Sequence, residues 1–108
     1  MITTFDQRER AFETKFALDE ELRFKTNARR NRLLGLWAAK KLGLAGADAE
    51  SYARALVTVG VDNPGFDSVF EKVRADFARR DVIQPDEGIR RMMEEFTMQA
   101  LAEIGAGR

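Results

Sequence analysis

Thr4–Leu42 reads TFDQRERAFETKFALDEELRFKTNARRNRLLGLWAAKKL. It contains no proline, and its only glycine is Gly35. Most of its residues are good helix formers, so an uninterrupted helical run is expected. Its character changes along its length. Up to Arg32 it is densely charged with isolated aromatics; from Leu33 to Ala39 every position except Gly35 is apolar. A helix apolar all round must be enclosed, whereas a charged helix with a thin aromatic stripe is solvated or awaits a partner. One segment therefore does two jobs: its C-terminal end anchors in a core and its N-terminal end reaches out.

Working outward, Thr4 and Gln7 have capping-box spacing, which allows a helix to start there. Phe5, Phe12 and Phe16 follow at i, i+7 and i+11, within about 20° of a common line on a helical wheel. A free segment this short is marginal as a helix in water. Residues 1–18 are thus expected to be mobile alone and helical when docked. The competing reading is that the three phenylalanines pack on the domain's own core. Asp19–Leu42 is expected as the long helix, with Glu20 and Glu21 suiting its N-terminal end, Lys40 and Lys41 its C-terminal end, and Gly43 its C′ position. Leu22, Leu33, Leu36 and Trp37 lie on one side, and Phe24, Ala28, Ala38 and Leu42 on the other. Two apolar sides predict a central helix.

Further helices are predicted over about 47–60, 68–80 and 86–104. Asp62-Asn63-Pro64-Gly65 is a strong turn signal. Ser68 and Glu71 have capping-box spacing. Val69, Phe70, Val73 and Phe77 mark the inner face of the third helix. Pro85, Asp86 and Glu87 suit the start of the fourth, whose stripe is Ile89, Met92, Met93, Phe96, Ala100 and Ile104. Gly105–Arg108 is expected to fray. No stretch alternates at period two. The chain reads as an all-α four-helix bundle over 19–108, with a mobile N-terminal segment over 1–18.

At 108 residues one domain is expected. Eighteen Lys and Arg balance eighteen Asp and Glu, which argues against a general polyanion binder. The chain has no Cys and no His, which excludes thiol catalysis, disulfides, soft metal sites and Ser-His triads. The pairs Glu20–Glu21 and Glu94–Glu95 are helix neighbours pointing about 100° apart, and so do not share an acid–base site. Gly43-Leu44-Ala45-Gly46 lacks the Lys-Ser/Thr of a phosphate loop and reads as a helix end. No enzyme activity, metal or cofactor is expected. The N-terminus lacks the apolar core of a signal peptide, and no apolar run approaches the ~20 residues of a membrane span. A cytoplasmic chain, monomeric when free, is the expectation. Arg29, Arg30 and Arg32 form the only basic cluster. They read either as a solvated stretch or as a contact for nucleic acid or an acidic protein.

The block Thr3–Asp6, Arg8-Glu9, Ala11–Glu13, Lys15–Ala17, Asp19–Leu22, Phe24-Lys25, Ala28–Asn31 and Leu33–Ala38 resembles the zeta-subunit family of alphaproteobacterial F-type ATP synthases. The resemblance is specific to about Leu44 and continues through Val69-Phe70, Lys72–Asp76 and Ile89–Arg91. It implies a four-helix bundle whose N-terminal segment inhibits ATP hydrolysis. That segment would insert as a helix into a catalytic interface of the synthase head, formed by alpha, beta and gamma subunits, and block rotation. By position it implies Phe5, Arg8, Glu9, Phe12, Lys15 and Phe16 as the contact residues. It also implies a place beside the inner membrane through the synthase. Gln7 stands where family members often carry an acid, and Leu18 where a polar residue is common.

Overall fold

A computed structural model describes the backbone of residues 3–64 and 66–106, and the side chains of residues 19–64 and 67–105. Its elements are α1 (Thr3–Lys41), α2 (Gly46–Asp62), α3 (Phe66–Arg79) and α4 (Asp86–Ala106), with no strand among the described residues. The all-α bundle is as expected from the hydrophobic patterning.

Helix ends follow from local chemistry. Beyond Lys41 the chain closes α1 with a Schellman motif. Leu44 N–H donates to the Ala39 carbonyl at 2.9 Å and Gly43 N–H to that of Lys40 at 3.1 Å. Gly43 takes the left-handed conformation this requires, with φ +80°. The end of α3 repeats the pattern without glycine. Val82 N–H reaches the Phe77 carbonyl at 2.9 Å, Asp81 N–H that of Ala78 at 3.3 Å, and Asp81 itself has φ +57°. At the α2–α3 corner, Asn63 N–H caps the Val59 carbonyl at 2.9 Å. Ser68 differs from its expected role. α3 opens two residues earlier, at Phe66, so Ser68 lies in the first turn and its hydroxyl donates to the Asn63 carbonyl at 2.7 Å. α4 also runs through Gly105 to Ala106 rather than fraying at 104.

The core is made of Leu34 and Ala38 from α1, Leu56 from α2, Val69, Phe70, Val73 and Phe77 from α3, and Ile89 and Met93 from α4. The inner face predicted for α3 is the observed one. α1 is flanked by α2 and α4, and Trp37 meets Phe77 edge-on at 5.8 Å between ring centroids. Gly35 lets α2 approach closely: a Cβ there would stand 2.6 Å from the Ala53 Cα.

Two expectations for α1 are corrected. Leu34, with Ala38 and Ala39, is the fully buried residue of the apolar run, while Leu33, Leu36 and Trp37 are half-buried. Phe24 is not enclosed but 60 % exposed, because α2 ends at Asp62 and no described element crosses its outer face.

Polar groups inside the bundle are satisfied; no buried side-chain nitrogen or oxygen among the described residues lacks a hydrogen bond. Asp76 accepts from the Tyr52 hydroxyl at 2.8 Å and from Lys72 Nζ at 2.9 Å, and its other oxygen faces Arg79 at 3.2 Å. This ties α2 to α3. Burial, and then the hydrogen bond to Asp76, push the Tyr52 hydroxyl above its ordinary pKa.

Candidate partner-binding surface

The six residues named as contacts, Phe5, Arg8, Glu9, Phe12, Lys15 and Phe16, and the Thr4–Gln7 capping box lie outside the residues whose side chains the structure describes. What it does describe is the helix that carries them. α1 has 39 residues, which at about 1.5 Å per residue is roughly 58 Å of rod. α2 has 17 residues and α4 has 21, roughly 25 and 32 Å. Neither neighbour is long enough to accompany α1 over its whole length.

The described contacts locate where the accompaniment occurs. Gly35 abuts Ala53, and Arg32 Nη1 meets Glu50 Oε2 at 2.8 Å. Farther toward the N-terminus, Arg29 faces Glu103 at 3.7 Å. Pro64, just past α2, lines a cleft with Phe24, and Ile104, near the end of α4, lines a groove with Leu22. Among the described residues, the ends of α2 and α4 share grooves with α1 over Asp19–Phe24.

The basic cluster is dispersed rather than presented as one patch. Arg29 and Arg32 are held by Glu103 and Glu50 on different helices. The bidentate bond from Arg32 holds the Glu50 carboxyl below its usual range. Arg30 is not solvated: it is 5 % exposed, and its Nε donates to Asn31 Oδ1 at 3.0 Å. Its burial lowers its pKa. Glu20 and Glu21 serve as surface partners of Arg23 and Lys25, at 4.0 and 3.1 Å. Among the described residues there is no cluster that could hold a metal, and no helix is long and apolar enough to cross a membrane.

One feature escaped sequence reasoning. Beside the bundle's end lies a cleft of about 130 Å³ between α1 and α2. Phe24 and Val61, 60 % and 48 % exposed, are among its lining residues. Arg30 and Asn31 form part of its lining. The sequence signal was present in Phe24, an aromatic one face away from the buried Leu34, but its exposure depends on where α2 stops.

Comparison with known proteins places these features. The sequence model of the family described as ATPase inhibitor subunit zeta matches residues 2–103. Among curated proteins nothing matches. A protein whose structure was solved by solution NMR is similar over 81 % of this chain and 99 % of its own, at 32 % identity and a TM-score of 0.70.

Proposed function

The chain belongs to the ATPase inhibitor subunit zeta family, and on that premise we propose that residues 1–18 are the inhibitory element and residues 19–108 the bundle that carries it. The partner is the head of the F-type ATP synthase. The N-terminal segment enters a catalytic interface among alpha, beta and gamma subunits as a helix and blocks rotation in the hydrolytic direction. The protein then sits beside the inner membrane through the synthase.

The observation that supports this is the length of α1, roughly twice that of the helices packed on it. A helix longer than the neighbours packed on it suits a segment that serves another protein. Phe5, Phe12 and Phe16 contribute the apolar side of a helix-in-groove contact, each on the order of 1.5–3 kcal/mol gross. Arg8, Glu9 and Lys15 set register by charge pairing. Ordering an arm of this size costs about 1–2 kcal/mol of backbone entropy per residue, so the contact area must be large. A rod already helical at its root lowers that cost, because propagation is cheaper than nucleation. The nucleic-acid reading gains no support, since the arginines that motivated it serve contacts within the bundle.

Titration of an alphaproteobacterial F-type ATPase tests the proposal. The full chain is expected to inhibit ATP hydrolysis and a chain lacking residues 1–18 is not. Full inhibition by the shortened chain overturns it.

A further inference from the structure

The way α1 is held changes at Leu34. Among the described residues, the buried apolar side chains of α1 begin there. The buried ones before it, Thr26, Arg30 and Asn31, are polar, and Leu22, Ala28 and Leu33 are half-buried. Apolar packing, which is proportional to the area removed from water, therefore grips this part of α1 less firmly than the part below. Two ion pairs join it to its neighbours. Arg29 Nη1 faces Glu103 Oε1 on α4 at 3.7 Å. Arg32 grips Glu50 on α2 with both terminal guanidinium nitrogens, at 2.8 and 3.4 Å. Gln99 steadies Glu103 by donating to its second oxygen at 2.8 Å. Arg29 and Arg32 stand about 60° apart around the helix, so the two pairs reach toward different neighbours.

Exposed pairs of this kind contribute little to global stability, because solvent screens them. Direction is a different matter. Thr3 lies about 39 Å along the axis from Arg29. At that reach a tilt of about 5° at Arg29 carries the far end of the helix about 3 Å, close to a van der Waals contact distance. We infer that Arg29, Arg32, Glu50 and Glu103 are positioning residues: two diverging ion pairs, one to α4 and one to α2, fix the direction in which α1 leaves the bundle, and with it the presentation of residues 1–18 to the ATPase. The functional consequence rests on the insertion reading, whereas the bracing concerns this chain alone. A guanidinium fork on a carboxylate fixes an angle as well as a distance, which a lysine does not. Arg32 is therefore the stiffer of the two stays.

Distances between spin labels on the full-length chain test the bracing. The sequence has no cysteine, so labels go only where one is introduced, at the exposed positions Asp19 on α1, Ala55 on α2 and Glu94 on α4. The 19–55 and 19–94 distance distributions are expected to be narrow in the native chain. Glu50→Arg with Glu103→Arg is expected to broaden both. Adding Arg29→Glu and Arg32→Glu remakes the pairs with their charges exchanged and is expected to narrow them again. Inhibition of ATP hydrolysis should follow the widths. A segment that holds the productive direction a tenth as often inhibits about tenfold more weakly, and the exchanged pairs recover it. Melting temperatures are expected to stay within a few degrees of the native value. Glu50→Gln with Glu103→Gln, which removes the charges at nearly constant shape, gives the same comparison if the reversed chain does not fold. Unchanged distributions overturn the proposal, as does broadening without a change in inhibition, or a loss that the exchanged pairs fail to recover. The two readings separate cleanly. If the distances broaden and recover while no chain, native included, inhibits, insertion fails and the bracing stands. If the native chain inhibits through residues 1–18 and the reversed chain matches it in distances and inhibition, insertion stands and the bracing fails.

Discussion

Gly35 of α1 and Ala53 of α2 approach so closely that a Cβ on Gly35 would stand 2.6 Å from the Ala53 Cα and 3.1 Å from its Cβ. The nearest obstacle is backbone, which cannot rotate away. Gly35→Ala is therefore expected to destabilise the fold by about 1–3 kcal/mol through overpacking. This exceeds the roughly 1 kcal/mol that alanine gains over glycine in a helix interior. Denaturant midpoints of the two chains check it; a stabilised variant would mean that the helices separate at little cost.

Asp76 gathers Tyr52, Lys72 and Arg79 at the α2–α3 contact. Asp76→Ala leaves the half-buried Tyr52 hydroxyl without this acceptor and should cost about 1–3 kcal/mol. Tyr52→Phe should cost less, about 1–2 kcal/mol, because the two cations still hold Asp76.

The same tyrosine gives a pH dependence. Its folded pKa is raised by burial and by Asp76. An unfolded tyrosine titrates near 10. The raised value stabilises the fold fully below about pH 10 and is lost as pH rises above it. Melting temperatures taken across the alkaline range should fall for the native chain, and the gap to Tyr52→Phe should narrow. A constant gap would assign the alkaline loss to other groups.

Asp81 closes α3 in the left-handed conformation without being glycine. Asp81→Gly should relieve about 0.5–1 kcal/mol of strain and raise the melting temperature by a few degrees. Gly43→Ala, at the equivalent position after α1, should lower it by a similar amount. Calorimetry on both variants tests the pairing.

Phe12→Ala should weaken inhibition of ATP hydrolysis about tenfold, as truncation of a buried aromatic anchor commonly does. If the segment serves a partner, the denaturant midpoint is expected to stay unchanged, as the core among the described residues is built from Leu34 to Met93. A large loss of stability would place Phe12 in the protein's own core.

Much of the fold was legible in the sequence where one local rule decided the outcome. Val69, Phe70, Val73 and Phe77 keep helical period, with charged residues and Ala75 between, so only one face could be inner. Gly43 follows the last lysines of α1 and could serve only as its left-handed end. Asp81 was not legible, because aspartate tolerates that conformation without demanding it. Arg30 and Phe24 were misread for a shared reason. Each takes its surroundings from the last turns of α2, and contacts between helices are invisible to a wheel drawn on one of them. The proposed contact residues from Phe5 to Phe16 were legible only as a stripe and a resemblance, and their side chains lie outside those the structure describes.

The continuity of α1 has a geometric consequence. At 100° per residue, positions 5, 12 and 16 share the azimuth of Leu34 to within about 40°. The core that seats Leu34 thus sets the compass bearing of the aromatic stripe, as a hilt sets the plane of a blade. One residue inserted after Glu21 turns the stripe about 100° away from that bearing, whereas seven return it to within about 20° and move it only outward.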